Sequence, residues 1–135
     1  MIHLDTSFLI DLLREAARSA DGPASRFLAT VPTEELGISV FVACELAAGA
    51  AMSQKPTQER HRVEQLCAGP HVDYPDERFP AVYGSLLAAQ ERGRGRVSTM
   101  DLLIATSAVL ARAPLVTRNA KDFSRVPGLD LLGYG

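Results

Sequence analysis

The sequence contains only two cysteines and no long hydrophobic run. The first absence argues against a cysteine-based framework, and the second against a membrane-spanning helix. Cys44 and Cys67 are isolated and lack CxxC spacing, which argues against a disulfide framework or a zinc site and is typical of a reducing compartment. No apolar stretch approaches the roughly 20 residues that a membrane-spanning helix needs. The chain reaches Asp5 without any basic segment, so its start does not resemble a signal peptide. We therefore expect a cytoplasmic protein without a membrane segment.

The overall composition is that of an ordinary folded domain. Hydrophobic residues make up 47% of the chain and charged residues 22%, which excludes wholesale disorder. At 135 residues the chain is too short for two domains of usual size but long enough to bury a core. We expect one domain over residues 1–135.

The positive charge is concentrated in the last third of the chain. Residues 92–125 carry seven basic side chains and two acidic ones, whereas the first 91 residues are acidic overall. Twelve of the 14 basic residues are Arg, whose planar fork suits bidentate contacts with phosphate. A GC-rich genome would also favour Arg over Lys, but it would not explain the clustering.

Hydrophobic patterning and turn residues predict alternating strands and helices. The predicted strands are 1–4, 36–39, 71–73, 115–116 and 129–131. The predicted helices are 7–14, 23–31, 40–53 (ended by Pro56), 57–67, 76–91, 98–112 and a turn at 119–124. Such alternation implies a parallel sheet covered on both faces, a three-layer α/β/α sandwich.

Three acidic residues stand close to strand ends or helix starts, where each has two interpretations. Ligands of parallel sheets bind beyond the carboxyl ends of the strands, and Asp5 follows the first strand directly. Asp5 could instead cap the following helix. Ser98-x-x-Asp101 resembles a capping box, and Asn119-x-x-Asp122 has the same spacing.

Glu45 is less easily explained by helix capping. Its neighbours on a helix are apolar or small, so nothing on that helix pairs with it, and an ionised carboxylate there needs a cation or solvent. Four carboxylates that meet would repel one another unless a cation neutralises them. Oxygen ligands without His or thiolate suit Mg²⁺ or Mn²⁺. Beside an Arg-rich segment, such a cluster indicates a site that cleaves phosphodiester bonds.

Four segments follow a recognisable order along the chain. They are LDTSFLIDL at 4–12, CELAAG at 44–49, DLLIATSA at 101–108 and TRNAKDF at 117–123, with PGL at 127–129. In sequence and spacing they resemble the motifs of PIN-domain proteins, most closely the VapC-type toxin ribonucleases. The resemblance is collinear and covers essentially the whole chain.

This resemblance implies a PIN-like α/β/α fold, RNA cleavage that depends on Mg²⁺ or Mn²⁺, homodimer formation and neutralisation by a small antitoxin protein. By position, the acidic site would consist of Asp5, Glu45, Asp101 and Asp122. Ser7 stands where many members have Asn, a change that should still support hydrogen bonding near Asp5. Some members have Asp at the position of Asn119, so Asn119 rather than Asp122 could fill the fourth position.

The expected roles follow from the chemistry of such a site. Asp5 and Asp101 would bind the main cation, and Glu45 a water or a second ion. Outer waters would be oriented by Asp122 and Asn119, while Thr117 would hydrogen-bond a carboxylate or a phosphate. The expected contacts with the RNA backbone come from Arg92, Arg94, Arg96 and Arg118. The alternative for the first three of these arginines is a solvated, flexible turn.

Two other functions remain to be distinguished. Aspartyl-phosphate phosphatases also begin with Asp after the first strand, but they need a second acid two residues later, where this chain has Ser7. A non-catalytic RNA-binding or scaffold PIN domain would have lost its metal, whereas here all four acidic positions are filled. The histidines His3, His61 and His71 do not form an acid–base pair by position.

Overall fold

Five short parallel strands form the centre of the fold. The computed structural model describes residues 1–91 and 95–135. Of Glu91 it describes the backbone only. The strands are β1 (Ile2–Leu4), β2 (Leu36–Ser39), β3 (His71–Asp73), β4 (Leu115–Val116) and β5 (Leu131–Leu132), in the spatial order β3-β2-β1-β4-β5. β1 is central because it pairs with β2 on one side and with β4 on the other.

Helices connect the strands and flank the sheet, as the three-layer α/β/α prediction requires. Within the described ranges there are seven: α1 (Thr6–Ala17), α2 (Pro23–Thr30), α3 (Val40–Ala51), α4 (Pro56–Cys67), α5 (Phe79–Glu91), α6 (Thr99–Ala111) and α7 (Ala120–Phe123). No helix in the described part of the chain is long and apolar enough to cross a membrane.

The core is built around β1, β4 and α6. All three residues of β1 and both residues of β4 are buried, as expected for parallel strands covered on both faces. In α6, residues 104–108 are buried in succession, so this helix is surrounded by protein. The middle of α6 therefore belongs to the core, whereas Asp101 near its start is only partly buried.

The register of the central strands determines where the site forms. Leu4 lies opposite Val116, so β1 and β4 end side by side at the same edge of the sheet. The residues that follow these strands, Asp5 and Thr117, are therefore neighbours although 112 positions separate them.

Several predicted element boundaries are wrong, and the first helix, for example, ends at Ala17 instead of Arg14. Pro56 does not end the third helix, which stops at Ala51; it opens α4, where its missing N–H costs nothing. The fifth helix begins at Phe79 instead of Asp76, since an Asp76 carboxylate oxygen accepts the Arg78 backbone N–H in a turn. The last strand lies at Leu131–Leu132, two residues later than its predicted start, after a turn at Gly128.

Candidate functional site

Asp5 lies at the carboxyl end of β1 and is almost fully buried. Its Oδ2 accepts two hydrogen bonds, from Ser7 Oγ at 2.8 Å and from Thr117 Oγ1 at 2.7 Å. Although Asp5 occupies the position before the first residue of α1, its side chain makes no capping bond. The helix-capping interpretation of this carboxylate is therefore wrong.

The two hydroxyl groups are themselves held in place by the chain that leaves β4. Ser7 Oγ accepts the backbone N–H of Arg118 at 3.1 Å, and Thr117 Oγ1 accepts that of Asn119 at 2.9 Å. Each hydroxyl therefore accepts one backbone N–H and donates its own proton to Asp5 Oδ2. Asp5 is thus fixed as a hydrogen-bond acceptor, and the expectation that Ser7 hydrogen-bonds near Asp5 is met.

Glu45 projects from α3 toward the start of α1. Its Oε1 accepts a hydrogen bond from Thr6 Oγ1 at 2.6 Å. No partner for Glu45 is predicted from the sequence, because the neighbours on its own helix are apolar or small. The partner is instead the Thr6 hydroxyl, which directly follows Asp5 in the sequence and links Glu45 to the first acidic position.

Asp101 lies in the first turn of α6, where Ser98 caps the helix. Ser98 Oγ accepts the backbone N–H of Asp101 at 3.2 Å, so this part of the capping interpretation is confirmed. The Asp101 carboxyl is nevertheless perturbed. Its pKa is raised, first by burial and then by the negative charges of Asp5, Glu45 and Asp122, while a hydrogen bond with the Ser98 side chain opposes the shift.

The electrostatics of Asp101 bring the four predicted acids into one group. Asp5 follows β1, Glu45 is on α3, Asp101 on α6 and Asp122 on α7. The negative charges of Asp5, Glu45 and Asp122 all act on the Asp101 carboxyl, which indicates that the four carboxylates lie in the same region of the structure. Asp122 is solvent-exposed, as is Asn119, whose side chain does not cap α7.

Comparison with known proteins identifies the family. The family model of the PIN domain matches residues 2–129. The chain belongs to the PIN-domain family. The resemblance noted from the four sequence motifs is thereby confirmed, and so is the α/β fold.

Among its relatives, this PIN domain is similar to proteins named Ribonuclease VapC. It is 30% identical over 126 residues to Ribonuclease VapC1 of Haemophilus influenzae strain R2866, covering 93% of this chain and 92% of the relative. It is 31% identical over 96 residues to Ribonuclease VapC2 of Rickettsia felis, covering 71% and 72% of the two chains.

Solved structures of toxin–antitoxin complexes share the fold of this PIN domain. A chain of VapBC2 from Rickettsia felis, bound to a DNA fragment from the promoter, superposes with a TM-score of 0.87 at 26% identity over the whole of both chains. A chain of DNA-bound VapBC from Salmonella typhimurium gives 0.86 at 25% identity over 98% of each. VapBC-1 from nontypeable Haemophilus influenzae gives 0.79 at 29% identity, also over 98% of each.

The donor set of the acidic group fits a hard divalent cation. All four side chains offer carboxylate oxygens, which suit Mg²⁺ or Mn²⁺, and their mutual repulsion at Asp101 would be relieved by a cation. Within residues 1–91 and 95–135, however, no three His, Cys, Asp or Glu side chains converge closely enough to enclose a metal ion. The carboxylates are therefore grouped but not closed around one point.

Two of the four predicted RNA-binding arginines, Arg96 and Arg118, lie in the described part of the chain. Arg118 is half-exposed, with Nη1 2.6 Å from Asp11 Oδ1. Arg96 is exposed and precedes α6 by three residues. Arg92 and Arg94 lie outside the described residues.

The three histidines lie in the sheet and on α4, apart from the acidic group. His3 is buried in β1, where burial lowers its pKa despite the opposing charge of Asp73. Its Nε2 lies 3.8 Å from Asp73 Oδ2 and has no hydrogen-bond partner among the described side chains. His61 is on α4 and His71 begins β3, both exposed, so no histidine joins the four carboxylates.

Proposed function

We propose that this PIN domain is an endoribonuclease that cleaves RNA phosphodiester bonds and serves as the toxin of a type II toxin–antitoxin pair. The observation that carries the proposal is the group of carboxylates at the ends of β1 and β4, where Ser7 and Thr117 hold the buried Asp5 and Thr6 holds Glu45. The negative charges of Asp5, Glu45 and Asp122 also raise the pKa of Asp101. A group of carboxylates whose repulsion a divalent cation would relieve is suited to phosphodiester hydrolysis. The relatives named Ribonuclease VapC support RNA as the substrate.

In this proposal Asp5 and Asp101 hold Mg²⁺ or Mn²⁺, with Glu45 and Asp122 completing the acidic site. When bound, the cation supplies positive charge to the phosphate oxygens and favours ionisation of the attacking water. The hydroxyls of Ser7 and Thr117 hold Asp5 in one orientation through its Oδ2. The hydroxyl of Thr6 does the same for Glu45 through its Oε1.

The remaining work of the site is to position RNA. Arg118 and Arg96 are exposed cations on chain segments that adjoin Asp5 and Asp101, and guanidinium groups bind phosphate oxygens well. In-line attack by water at phosphorus would leave a 5′-phosphate and a 3′-hydroxyl. Attack by the RNA 2′-hydroxyl would leave a cyclic phosphate instead, so the ends of the product distinguish the two reactions.

The proposed partners are an antitoxin protein and a second copy of the chain. The solved VapBC complexes, whose toxin chains share this fold, support a small antitoxin partner. Binding of that partner would keep the nuclease inactive in the cytoplasm until it is released. Co-expression and co-purification with the protein encoded next to it tests this part of the proposal.

The test of activity is the mapping of RNA ends. Purified protein is incubated with single-stranded RNA and Mg²⁺, with a chelator as control, and the new 5′ ends are sequenced. We expect 5′-phosphate ends that appear with Mg²⁺, vanish with chelator and are absent for Asp5→Asn, whereas the exposed control Glu64→Gln cleaves normally. RNA that is bound but not cut would indicate a non-catalytic RNA-binding domain and contradict the proposal.

A further inference from the structure

A short hydrogen-bonded chain links the end of β4 to the last residues of the protein. Arg118 Nη1 donates to Asp11 Oδ1 at 2.6 Å, and the Tyr134 hydroxyl donates to Asp11 Oδ2 at 2.6 Å. Both carboxylate oxygens of Asp11 are therefore engaged, one by a cation and one by a neutral donor. Of these three residues, only Arg118 has a role predicted from the sequence motifs.

This chain of contacts adjoins the acidic site. The backbone N–H of Arg118 donates to Ser7 Oγ, and Ser7 Oγ donates to Asp5 Oδ2, so Arg118 is two hydrogen bonds from Asp5. Asp11 is four residues beyond Ser7 on α1 and so lies on the same face of that helix. The side chain of Arg118 therefore reaches α1 one helical turn beyond Ser7, where Asp11 holds its guanidinium.

Tyr134 is anchored by aromatic packing as well as by its hydroxyl. Its ring meets Phe8 edge-to-face with centroids 4.8 Å apart, and the ring of Phe27 lies 6.5 Å away. The pKa of Tyr134 is raised, by burial and by Asp11, with a smaller contribution from Asp5. The hydroxyl therefore stays protonated and donates to Asp11 throughout the neutral range.

The geometry of the Asp11–Arg118 contact leaves the guanidinium open to a second anion. A carboxylate that fully engages an Arg side chain accepts two parallel N–H bonds from the guanidinium, one on each oxygen. Here Tyr134 occupies the second oxygen, so the structure gives Asp11 a single contact with the guanidinium. The Arg118 side chain is 51% exposed, which leaves further N–H donors facing solvent.

We propose that Asp11 and Tyr134 are positioning residues that hold the Arg118 guanidinium beside the acidic site, where it binds a backbone phosphate of the RNA. This inference rests on the proposed ribonuclease function and names the phosphate-binding part of its site. A guanidinium fixed before RNA arrives loses less side-chain freedom on binding than a mobile one. The role of Asp11 and Tyr134 is therefore seen in substrate affinity, and the cleavage step itself is left unchanged.

The alternative is that Asp11 merely neutralises the charge of Arg118. The two interpretations predict opposite changes in RNA affinity when the negative charge of Asp11 is removed. Removing a negative charge next to an RNA site should strengthen RNA binding if charge alone matters. If Asp11 positions Arg118, Asp11→Asn should weaken binding even though the protein becomes more positive. Tyr134→Phe changes no charge and keeps the aromatic ring, so it isolates the loss of one hydrogen bond.

The experiment measures KM and kcat for a single-stranded RNA at several salt concentrations. Arg118→Ala should raise KM about tenfold and reduce the slope of affinity against salt by about one unit. Asp11→Asn and Tyr134→Phe should raise KM roughly three- to tenfold with kcat and the salt slope kept. The matched controls Arg60→Ala, Glu64→Gln and Tyr74→Phe, at exposed positions away from the acidic site, should behave as wild type.

Each outcome separates this inference from the proposed function. Unchanged KM in both Asp11→Asn and Tyr134→Phe, or a lower KM in Asp11→Asn, would overturn the positioning role while leaving the ribonuclease assignment intact. Absence of cleavage by the wild type would overturn the ribonuclease assignment. In that case the positioning role is tested by RNA affinity, measured by fluorescence anisotropy in Asp5→Asn protein with and without Tyr134→Phe. The positioning role still requires Tyr134→Phe to weaken RNA binding. If Asp11→Asn does not fold, Tyr134→Phe alone decides.

Discussion

Thr117→Val removes one hydroxyl from beneath the acidic site while keeping the volume of the side chain. Thr117 is 1% exposed, and its Oγ1 both donates to Asp5 Oδ2 and accepts the Asn119 N–H. The substitution leaves Asp5 with Ser7 as the remaining donor to Oδ2 and deprives the Asn119 N–H of its acceptor. Asp5 then loses part of its fixed orientation.

The magnitude follows from the bond that is lost. A hydrogen bond to a charged group contributes about 1.5–3 kcal/mol to stability, so the free energy of unfolding should fall by that amount. Loss of a residue that orients a metal ligand typically lowers metal affinity or activity about 10- to 100-fold. Thr117→Ser keeps the hydroxyl and should recover most of both losses.

The assay combines urea unfolding with RNA cleavage at a series of Mg²⁺ concentrations. Thr106→Val is the matched control, because Thr106 is equally buried but its hydroxyl donates to the Leu102 carbonyl of its own helix. We expect a small stability change and normal cleavage for that control. Normal Mg²⁺ dependence and cleavage in Thr117→Val would refute the claim that this hydroxyl orients Asp5.

Three further predictions concern stability. The raised pKa of Asp101 makes the metal-free fold lose stability as pH rises above the ordinary carboxyl range, so Asp101→Asn should raise the neutral-pH Tm without metal and abolish cleavage. Burial raises the pKa of Glu15, but hydrogen bonds from Ser25, Ala24 and Gly22 outweigh it and lower it to about 2. Glu15→Gln should therefore be less stable at neutral pH, and it should not show the stability loss of the wild type as pH falls from 4.5 toward 2. Gly22→Ala should lower Tm, since a Cβ there would lie 2.5 Å from Glu15 Cδ.

The arrangement of the sheet is the part of the fold that sequence patterning predicted best. Strands 36–39, 71–73 and 115–116 were predicted with the observed bounds, because short apolar runs between turn residues suit buried parallel strands. Boundaries that depend on turn chemistry were less accurate. Pro56 can end one helix or open the next, and only the packing of α3 against α4 distinguishes these.

The candidate site was predictable in its acids but not in what holds them. A carboxylate after a strand, or on an apolar helix face, can be recognised from the sequence, and all four acids of the proposed site were predicted in that way. The bond between Thr117 and Asp5 requires β4 to lie beside β1, which the sequence alone does not specify. The contact between Asp11 and Tyr134 spans 123 positions and likewise depends on the three-dimensional path of the chain.

Calorimetric titration of Mn²⁺ into the purified protein tests the central claim most directly, because it measures metal binding without requiring the right RNA. The account predicts saturable binding to the wild type that is lost or severely weakened in Asp101→Asn and in Asp5→Asn. The exposed control Glu64→Gln should bind as the wild type does. Equal binding by the wild type and Asp101→Asn, or no binding by either, would contradict the claim that these four carboxylates form one metal site.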